Sequence, residues 1–309
     1  MQTILGASGI IGTKLAKALK AYTSDIRIVS RSPQRVNDTD ELVAADLLDA
    51  QQTAAAVKGS TVVYLTVGLV YNAKIWRKQW PVVMSNVINA CKLQGAKLVF
   101  FDNVYMYGRV IGPMTETTPF HPDSKKGRVR AEVAGMVLQA IAEGSLTALI
   151  ARAPEFYGPG KTQSGVNAML FDNIRKGKKA QWLMNDTNRR TFIFTPDAAR
   201  ATALLGNTPT AFNQTWHLPC SDEVINGKQF IALAEKAYGK PLPYTLLKRG
   251  MLTLIGLFVP VVREIAELLY QFEQDYIFDS SKFKQAFPDF AVTPYAAGIQ
   301  TIAAELKPA

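Results

Sequence analysis

One short stretch near the start of the chain constrains the fold more than any other. In TILGASGIIGTKLAKAL, residues 3–19, an apolar strand leads into a turn with Gly6, Gly9 and Gly12 and then into an amphipathic helix. Glycine lets the backbone turn tightly and approach a bound group, and a helix N-terminus attracts anions. In this strand–turn–helix context the pattern predicts a site for the diphosphate of a dinucleotide, rather than a turn that only connects two elements.

The following segments alternate short apolar strands with helices. The strands are IRIVS, LVAAD, TVVYLT, KLVFFD and LTALIARAP, and helical stretches such as PVVMSNVINACKLQG, from Pro81, separate them. This order predicts an α/β fold, a Rossmann-like doubly wound parallel sheet, over residues 1–155. The alternation of strands and helices then ends. This predicts a smaller, mostly helical C-terminal substrate lobe over residues 156–309, which includes AQWLM and WHLP. Elements around residues 190–220 are expected to return to the first domain.

The end of the second strand indicates which dinucleotide the site prefers. An NAD site favours a carboxylate about twenty residues past the glycines. The chain instead reads VSRSPQR, with Ser30, Arg31 and Arg35 and no acid. Because guanidinium and hydroxyl groups suit a 2′-phosphate, the sequence favours NADP(H), with NAD(H) as the second choice. The alternative is that Arg31 is an ordinary surface residue.

Ligands of such sheets bind beyond the carboxyl ends of the strands, so further cofactor contacts are expected there. The predicted cofactor-binding residues are Gly6, Ser8, Gly9, Ile10, Ile11, Gly12, Ser30, Arg31, Arg35, Asp46, Leu47, Leu65, Thr66, Gly68, Asn86, Asp102, Pro154 and Phe156.

Charge and composition narrow the class of partner. The formal net charge is +10, but the basic residues are scattered and no aromatic residues interleave with them, which favours an anionic small molecule over nucleic acid. Two cysteines and two histidines form no metal-spaced cluster, so no metal is expected. An apolar run directly follows Met1, so we expect no signal peptide and a cytoplasmic protein, with a homodimer as an open alternative to a monomer.

The longest later apolar stretch, MLTLIGLFVPVV at residues 251–262, is too short to cross a bilayer and contains Pro260. It is expected to form core or a pocket wall. Contact with a membrane is the less favoured alternative.

Several motifs together resemble the NAD-dependent epimerase/dehydratase group of extended or atypical short-chain dehydrogenases/reductases. They are GASGIIG, DL at Asp46, NVINAC from Asn86, VYMYG, ARAPEFYGPG and RTFIFTPDAARA. The resemblance covers nearly the whole chain. It implies a Rossmann-like domain with a small substrate lobe, and hydride chemistry on a nucleotide sugar or another carbonyl compound.

The catalytic set implied by this resemblance is a Ser or Thr, a Tyr, and a Lys four residues after that Tyr. Alignment on the YG motif places Asn103 at the hydroxyl position. Alignment of the next helix on Glu132 places Ser124 at the Tyr position and Arg128 at the Lys position. An isolated serine hydroxyl cannot exchange a proton at neutral pH, whereas Arg128 could still hold ribose hydroxyls.

The remaining candidates supply donors and proton carriers. Asn103 can polarise a substrate oxygen. Tyr105 is the first choice for proton transfer, followed by His121 and Lys126, although Tyr105 could be a packing aromatic and His121 a surface residue. Arg190 matches the family's arginine that grips substrate phosphate, so Arg190 and His121 are the predicted substrate-binding residues; a charged strand edge is the alternative for Arg190.

Two functions stay open at this point: an NAD(P)-dependent oxidoreductase with a non-standard catalytic set, or a catalytically silent NADP(H)-binding sensor or partner-binding protein.

Overall fold

The structure is a computed structural model that describes residues 1–160, 162 and 164–305. Its strands are β1 (Gln2–Leu5), β2 (Ile26–Ser30), β3 (Glu41–Ala44), β4 (Val62–Leu65), β5 (Lys97–Asp102), β6 (Ala148–Arg152), β7 (Glu155–Tyr157), β8 (Ala180–Leu183), β9 (Arg189–Arg190), β10 (Phe192–Phe194), β11 (Gln214–His217), β12 (Ile225–Asn226) and β13 (Tyr244–Leu247). Its helices are α1 (Ile10–Leu19), α2 (Ala50–Val57), α3 (Ala73–Gln94), α4 (Lys125–Ala142), α5 (Asp172–Arg175), α6 (Thr195–Gly206), α7 (Gly227–Tyr238), α8 (Arg249–Phe258), α9 (Pro260–Ala266), α10 (Ser281–Ala286) and α11 (Tyr295–Ala304).

A seven-stranded parallel sheet in the order β11-β6-β5-β4-β1-β2-β3 organises the molecule. Its two faces are covered by separate hydrophobic clusters. One joins α1 and α6 to the sheet, and the other joins α2, α3 and α4 to it. The predicted Rossmann-like, doubly wound fold is therefore confirmed. The strand order reverses at β1 and β4, which brings the glycine turn and the end of β4 to one edge.

The segment after β6 both returns to the sheet and forms a separate lobe. Strand β11 extends the sheet beside β6, and α6 packs against α1. The lobe contains the strand pairs β7–β10, β8–β13 and β9–β12 as well as helices. The residues of AQWLM and WHLP fall largely in β8 and β11, so these stretches are extended where the sequence predicted a mostly helical region. The predicted boundary near residue 155 stays a prediction.

Helix α3 begins earlier than the sequence predicted. The Asn72 side chain accepts hydrogen bonds from the backbone N–H groups of Lys74 and Ile75, which caps the helix ahead of Pro81. Buried Trp76 and Trp80 then extend its apolar face. A proline inside a helix removes one backbone hydrogen bond, and the burial of these two indoles contributes free energy in the opposite direction. The added turns bring Trp76 to the end of β5.

Candidate active site

The glycine turn between β1 and α1 has the geometry that a diphosphate site needs. Gly6 has φ 92°, and a Cβ there would lie 2.4 Å from the Val67 Cα. A Cβ on Gly12 would lie 2.6 Å from the Ala7 Cα, so this glycine lets helix and strand pack closely. Gly9 caps α1 without a side chain, which leaves the N–H groups of the first turn to a ligand. The residues present therefore fit a dinucleotide diphosphate.

The loop after β2 presents two exposed arginines. Arg31 and Arg35 are both exposed, but Arg35 donates through Nη1 to the backbone carbonyl of Asp38. The buried Asp40 carboxylate accepts from the N–H groups of Val36 and Asn37, at 3.1 and 2.6 Å, and holds the loop in place. Arg31 is thus the better placed of the two predicted arginines to meet an anionic group.

The other predicted cofactor residues lie at the carboxyl ends of neighbouring strands. Asn86 Nδ2 on α3 donates to the Leu47 carbonyl at 2.9 Å, and Asp46 accepts from the N–H of Leu48 at 3.0 Å. Thr66 Oγ1 donates to the Leu5 carbonyl at 3.2 Å. These bonds fix the rim of the sheet where a nucleoside would lie. Whether Ser8, Ser30, Leu65, Gly68, Pro154 and Phe156 touch the cofactor stays a prediction.

A buried ionic network lies under the end of β5. Arg130 on α4 donates to Asp102 Oδ1, through Nε at 2.9 Å and also through Nη2, and Arg152 on β6 donates to Asp102 Oδ2 at 3.3 Å. All three side chains are at most 3% exposed. Arg130 also packs over the rings of Trp80 and Phe100. Asp102, which the sequence predicted as a cofactor residue, therefore forms ion pairs with two arginines, and its contact with a cofactor stays a prediction.

The same network continues to a histidine on β11. Arg152 Nη1 donates to the Tyr107 hydroxyl at 2.8 Å, and that hydroxyl lies 2.7 Å from His217 Nε2. His217 Nδ1 lies 2.7 Å from the Asp279 carbonyl, so it carries the proton and Nε2 accepts from Tyr107. Burial, with the nearby Arg152 charge, lowers the pKa of His217 to about 3, against the hydrogen bond to Asp279. His217 is therefore neutral and structural.

Asn103 and Tyr105 lie in the loop that directly follows Asp102, and the Asn103 N–H donates to Asp102 Oδ1 at 2.8 Å. Asn103 Oδ1 accepts from the Tyr105 N–H at 3.0 Å, which turns the loop and leaves the amide N–H₂ as the donor available to a substrate. The Tyr105 ring stacks on Trp76, with ring centroids 6.3 Å apart. Burial raises the pKa of Tyr105, although the neighbouring Tyr71 hydroxyl acts against this. A raised pKa favours the protonated phenol, and proton exchange by Tyr105 stays a prediction.

The residues of the predicted catalytic helix differ in burial. Ser124 is buried as the N-cap of α4 and accepts from the Gly127 N–H at 2.9 Å, while Arg128 is exposed. Lys126 and Arg130, four residues apart, are both buried, and Arg130 binds Asp102 at the end of β5. Glu132, on which the alignment rests, is exposed. The catalytic role of Arg128 stays a prediction.

Lys126 is held by two carboxylates from the C-terminal lobe. Its Nζ donates to Glu264 Oε2 at 2.5 Å, to Glu267 Oε1 at 2.8 Å and to the Glu264 backbone carbonyl at 3.0 Å, and it lies 4.6 Å from the centre of the Tyr71 ring. Glu264 also accepts from the Ala73 N–H at 2.8 Å, at the start of α3. Partial burial opposes ionisation of Glu264, but the hydrogen bonds from Lys126 and Ala73 outweigh it and lower the pKa of Glu264.

The two predicted substrate residues occupy different surroundings. Arg190 is 2% exposed, with Nη2 3.0 Å from Glu155 Oε2, Nη1 bonded to the Gln271 carbonyl, and its guanidinium 3.8 Å from the Phe272 ring centre. Its charge is already matched by Glu155, so its role in gripping a phosphate stays a prediction. His121 is exposed on the loop before α4, and no bond of its imidazole to another described residue is present.

Sequence reasoning missed the partners of these residues. They are Tyr71, Arg130, Arg152, Glu155, Glu264 and Glu267. Each lies far along the chain from the residue that it contacts, so no local sequence motif predicts the contact. One signal was available: basic residues at positions 126 and 130 have the four-residue spacing of the family's Tyr and Lys.

With this geometry in place, comparisons with known proteins define the family. Residues 3–217 match the NAD dependent epimerase/dehydratase family, which is well over half of the chain. Among solved structures, the UDP-glucuronic acid 4-epimerase of Bacillus cereus in complex with NAD superposes with a TM-score of 0.80 at 17% identity, over 99% of this chain and 98% of that one. The chain belongs to the NAD-dependent epimerase/dehydratase family.

Two curated relatives match over shorter regions. An uncharacterized protein of Sinorhizobium fredii, y4nG, is 26% identical over 212 residues, which are 66% of this chain and 52% of that protein. The 3-diazoavenalumate denitrifying reductase of a Streptomyces species is 24% identical over 175 residues, 51% of this chain and 56% of that protein. The chain therefore spans about half the length of the curated relatives that it matches.

Proposed function

We propose that this chain is an NAD(P)(H)-dependent oxidoreductase that acts on a carbonyl carbon, or the corresponding alcohol, of a small molecule such as a sugar. The observation that supports this most is that Lys126 and Arg130, both buried, lie four residues apart on α4, and that Arg130 binds Asp102, the residue before Asn103, at the end of β5. The family's catalytic Tyr and Lys have the same spacing. A polar donor and a proton-bearing side chain are the groups that carbonyl chemistry needs beside a hydride source.

The nicotinamide would supply or accept the hydride. In this proposal the turn from Gly6 to Gly12 and the first turn of α1 hold its diphosphate. The Asn103 amide donates a hydrogen bond to the substrate oxygen. Lys126 gives up one of its three hydrogen bonds to Glu264 and Glu267 and supplies that proton to the substrate oxygen as it gains charge. Glu264 and Glu267, each about a fifth exposed, orient the ammonium and connect it to solvent.

In this proposal Arg130 corresponds to the family's lysine, but it cannot release a proton as a lysine can. Because its guanidinium is bound to Asp102 and cannot lose a proton, we assign it the role of supporting the loop that carries Asn103.

The cofactor is proposed to be NADP(H) in preference to NAD(H). The exposed Arg31 at the end of β2 and the lack of an acid there support this choice. The solved relative described above contains NAD, which supports binding of a nicotinamide dinucleotide but not the choice between the two.

Transfer of deuterium from stereospecifically labelled NADPH to a panel of aldehydes, ketones and nucleotide sugars tests the reaction. We expect label in a product with the parent protein and a loss of about a hundredfold or more in rate for Lys126→Met. Lys125→Met is the matched control, because its side chain is exposed on the same helix turn and only its backbone N–H contacts Glu267. Equal loss in both variants would contradict the role of Lys126.

A second function has its own support. Lys126 and Arg130 are both bound by carboxylates, which is also what a silent dinucleotide-binding sensor would show. Calorimetric binding of NADPH with no label transfer over the whole panel would favour this sensor. No heat with either dinucleotide would exclude both functions.

A further inference from the structure

One segment of the C-terminal lobe exposes an unusual number of large apolar side chains. We call residues 248–263, which contain α8 and the start of α9, the apolar hairpin. Leu252 and Gly256 face inward. The outward-facing apolar residues, with their exposed fractions, are Met251 (43%), Leu254 (61%), Leu257 (70%), Phe258 (81%), Val259 (39%) and Val261 (49%). The sequence prediction that this stretch is core or a pocket wall is therefore wrong for its outer face, which has the character of an interaction surface.

The charges of the apolar hairpin all have one sign. Lys248, Arg249 and Arg263 are exposed, and residues 248–263 contain no Asp or Glu. Arg249 is paired with Glu273, so Lys248 and Arg263 are the cations on which the basic margin depends. The acids that follow, Glu264 and Glu267, turn inward to Lys126. The outer face is thus apolar with a basic margin.

We propose that the apolar hairpin binds the surface of an anionic phospholipid bilayer. A short helix with an apolar face and flanking cations lies in the interface plane, with its side chains among the acyl chains and its cations at the headgroups. Each such cation strengthens binding to an anionic leaflet by about fivefold. The chain's net charge of +10 adds long-range attraction of the same sign.

A second copy of the chain fits this surface less well. A two-fold interface would pair the hairpin with its own copy and bring the cations Lys248 and Arg263 of both copies to one surface, with no acid of residues 248–263 to offset them. An anionic lipid surface matches both the apolar centre and the basic margin. The proposal does not involve crossing the bilayer: in the parts of the chain that the structure describes, no helix is long and apolar enough to do so.

The hairpin is also joined to the candidate active site. The inner face of α9 carries Glu264, whose carboxylate contacts both Lys126 and the Ala73 N–H. Docking of the outer face would therefore place that site beside the lipid surface. The proposal stands on the exposed side chains alone and does not depend on the proposed reaction.

Co-sedimentation of the full chain with lipid vesicles tests this proposal. We expect binding to vesicles of phosphatidylglycerol and phosphatidylcholine, much weaker binding to phosphatidylcholine alone, and loss of binding as salt increases. The double variant Leu257→Ser/Phe258→Ser should bind at least about tenfold more weakly. Lys248→Gln/Arg263→Gln should lose about thirtyfold, which corresponds to two cations.

The matched control is Leu93→Ser/Ile111→Ser, which removes two equally exposed apolar side chains, 73% and 101% exposed, outside the hairpin. It should bind as the parent does. The variant Phe258→Trp is a separate reporter. Its fluorescence should shift to shorter wavelength with phosphatidylglycerol vesicles, which reports contact of the hairpin with lipid in a variant that still binds.

Three results would overturn the proposal: no pelleting with anionic vesicles at low salt, parental binding by the serine double variant, or a dimer in sedimentation equilibrium that only this variant abolishes. The last result would assign the hairpin to self-association.

Discussion

The two ends of the candidate site are built in different ways. At the dinucleotide end the backbone dominates: Gly6 and Gly12 permit close approaches, and α1 presents uncapped N–H groups. At the reactive end side chains dominate, and β5, α4, β6 and α9 each supply a member. A backbone site depends on a few adjacent residues, whereas a side-chain network depends on residues that only the fold brings together.

This difference predicts where substitutions act. Changes at the reactive end should cost stability through unpaired buried charge, and changes at the dinucleotide end should act first on ligand binding. The four predictions that follow compare the two ends, and their expected effects decrease in order.

The largest expected effect is at the reactive end. Asp102→Asn keeps the shape of the side chain but leaves Arg130 and Arg152 buried without a counter-charge, so we expect the free energy of unfolding to fall by about 3–5 kcal/mol. Asp275→Asn is the matched control. Its partner Arg189 is 56% exposed, so breaking that pair should cost less than about 1 kcal/mol. Urea unfolding measures the free energy of unfolding of both variants. A loss in Asp102→Asn no larger than the loss in Asp275→Asn would show that the buried network does not stabilise the fold.

At the dinucleotide end, Gly6→Ala tests the backbone. The added Cβ meets the Val67 backbone, and the residue is held at φ 92°, so we expect a cost of about 2–4 kcal/mol and loss of dinucleotide binding. Gly135→Ala is the control, since a Cβ there has open space within α4 and should leave stability unchanged or slightly higher. Calorimetry with both dinucleotides and thermal unfolding measure the two effects. Parental binding by Gly6→Ala would refute the assigned diphosphate site.

Much of the dinucleotide end could be predicted from the sequence because each of its features is local. The glycines, the strand before them and the helix after them are contiguous, and so is VSRSPQR at the end of β2. The prediction for Asn103 is also local, because it depends on a fixed distance to the YG motif.

The reactive end could be predicted only in part, and the reason is again physical. Lys126 was among the candidates, but its partners Glu264 and Glu267 lie more than 130 residues further on. Ser124 and Arg128 were chosen by their spacing from Glu132, and spacing alone does not show that Lys126 and Arg130 are the buried cations of α4. Burial of one helix face is a property of the fold, not of the local sequence.

The third prediction concerns pH. Burial depresses the pKa of His217 from the ordinary 6.5 to about 3, so between these values the unfolded chain binds a proton that the folded chain does not. The stability from this residue is complete above pH 6.5 and decreases as the pH falls toward 3. At pH 5 the loss is about 2 kcal/mol relative to neutral pH.

Urea unfolding at several pH values measures this slope. His217→Gln should be less stable at neutral pH but should lose much of the decline between pH 6.5 and 5. His121→Gln, which removes the other histidine of the chain, is the control and should keep the parental slope. An unchanged slope in His217→Gln would assign the pH dependence to the carboxylates.

The smallest expected effect returns to the dinucleotide end and decides which coenzyme it prefers. Arg31 is exposed, so Arg31→Gln should leave the free energy of unfolding within about 0.5 kcal/mol of the parent. It should weaken NADPH binding by roughly tenfold, the equivalent of one charge-assisted hydrogen bond, while NADH binding stays the same. Arg35→Gln is the comparison, because its guanidinium is already bound to the Asp38 carbonyl and should contribute less. Equal weakening of both dinucleotides by Arg31→Gln would mean that Arg31 meets the diphosphate, and the preference for the phosphorylated coenzyme would then need another origin.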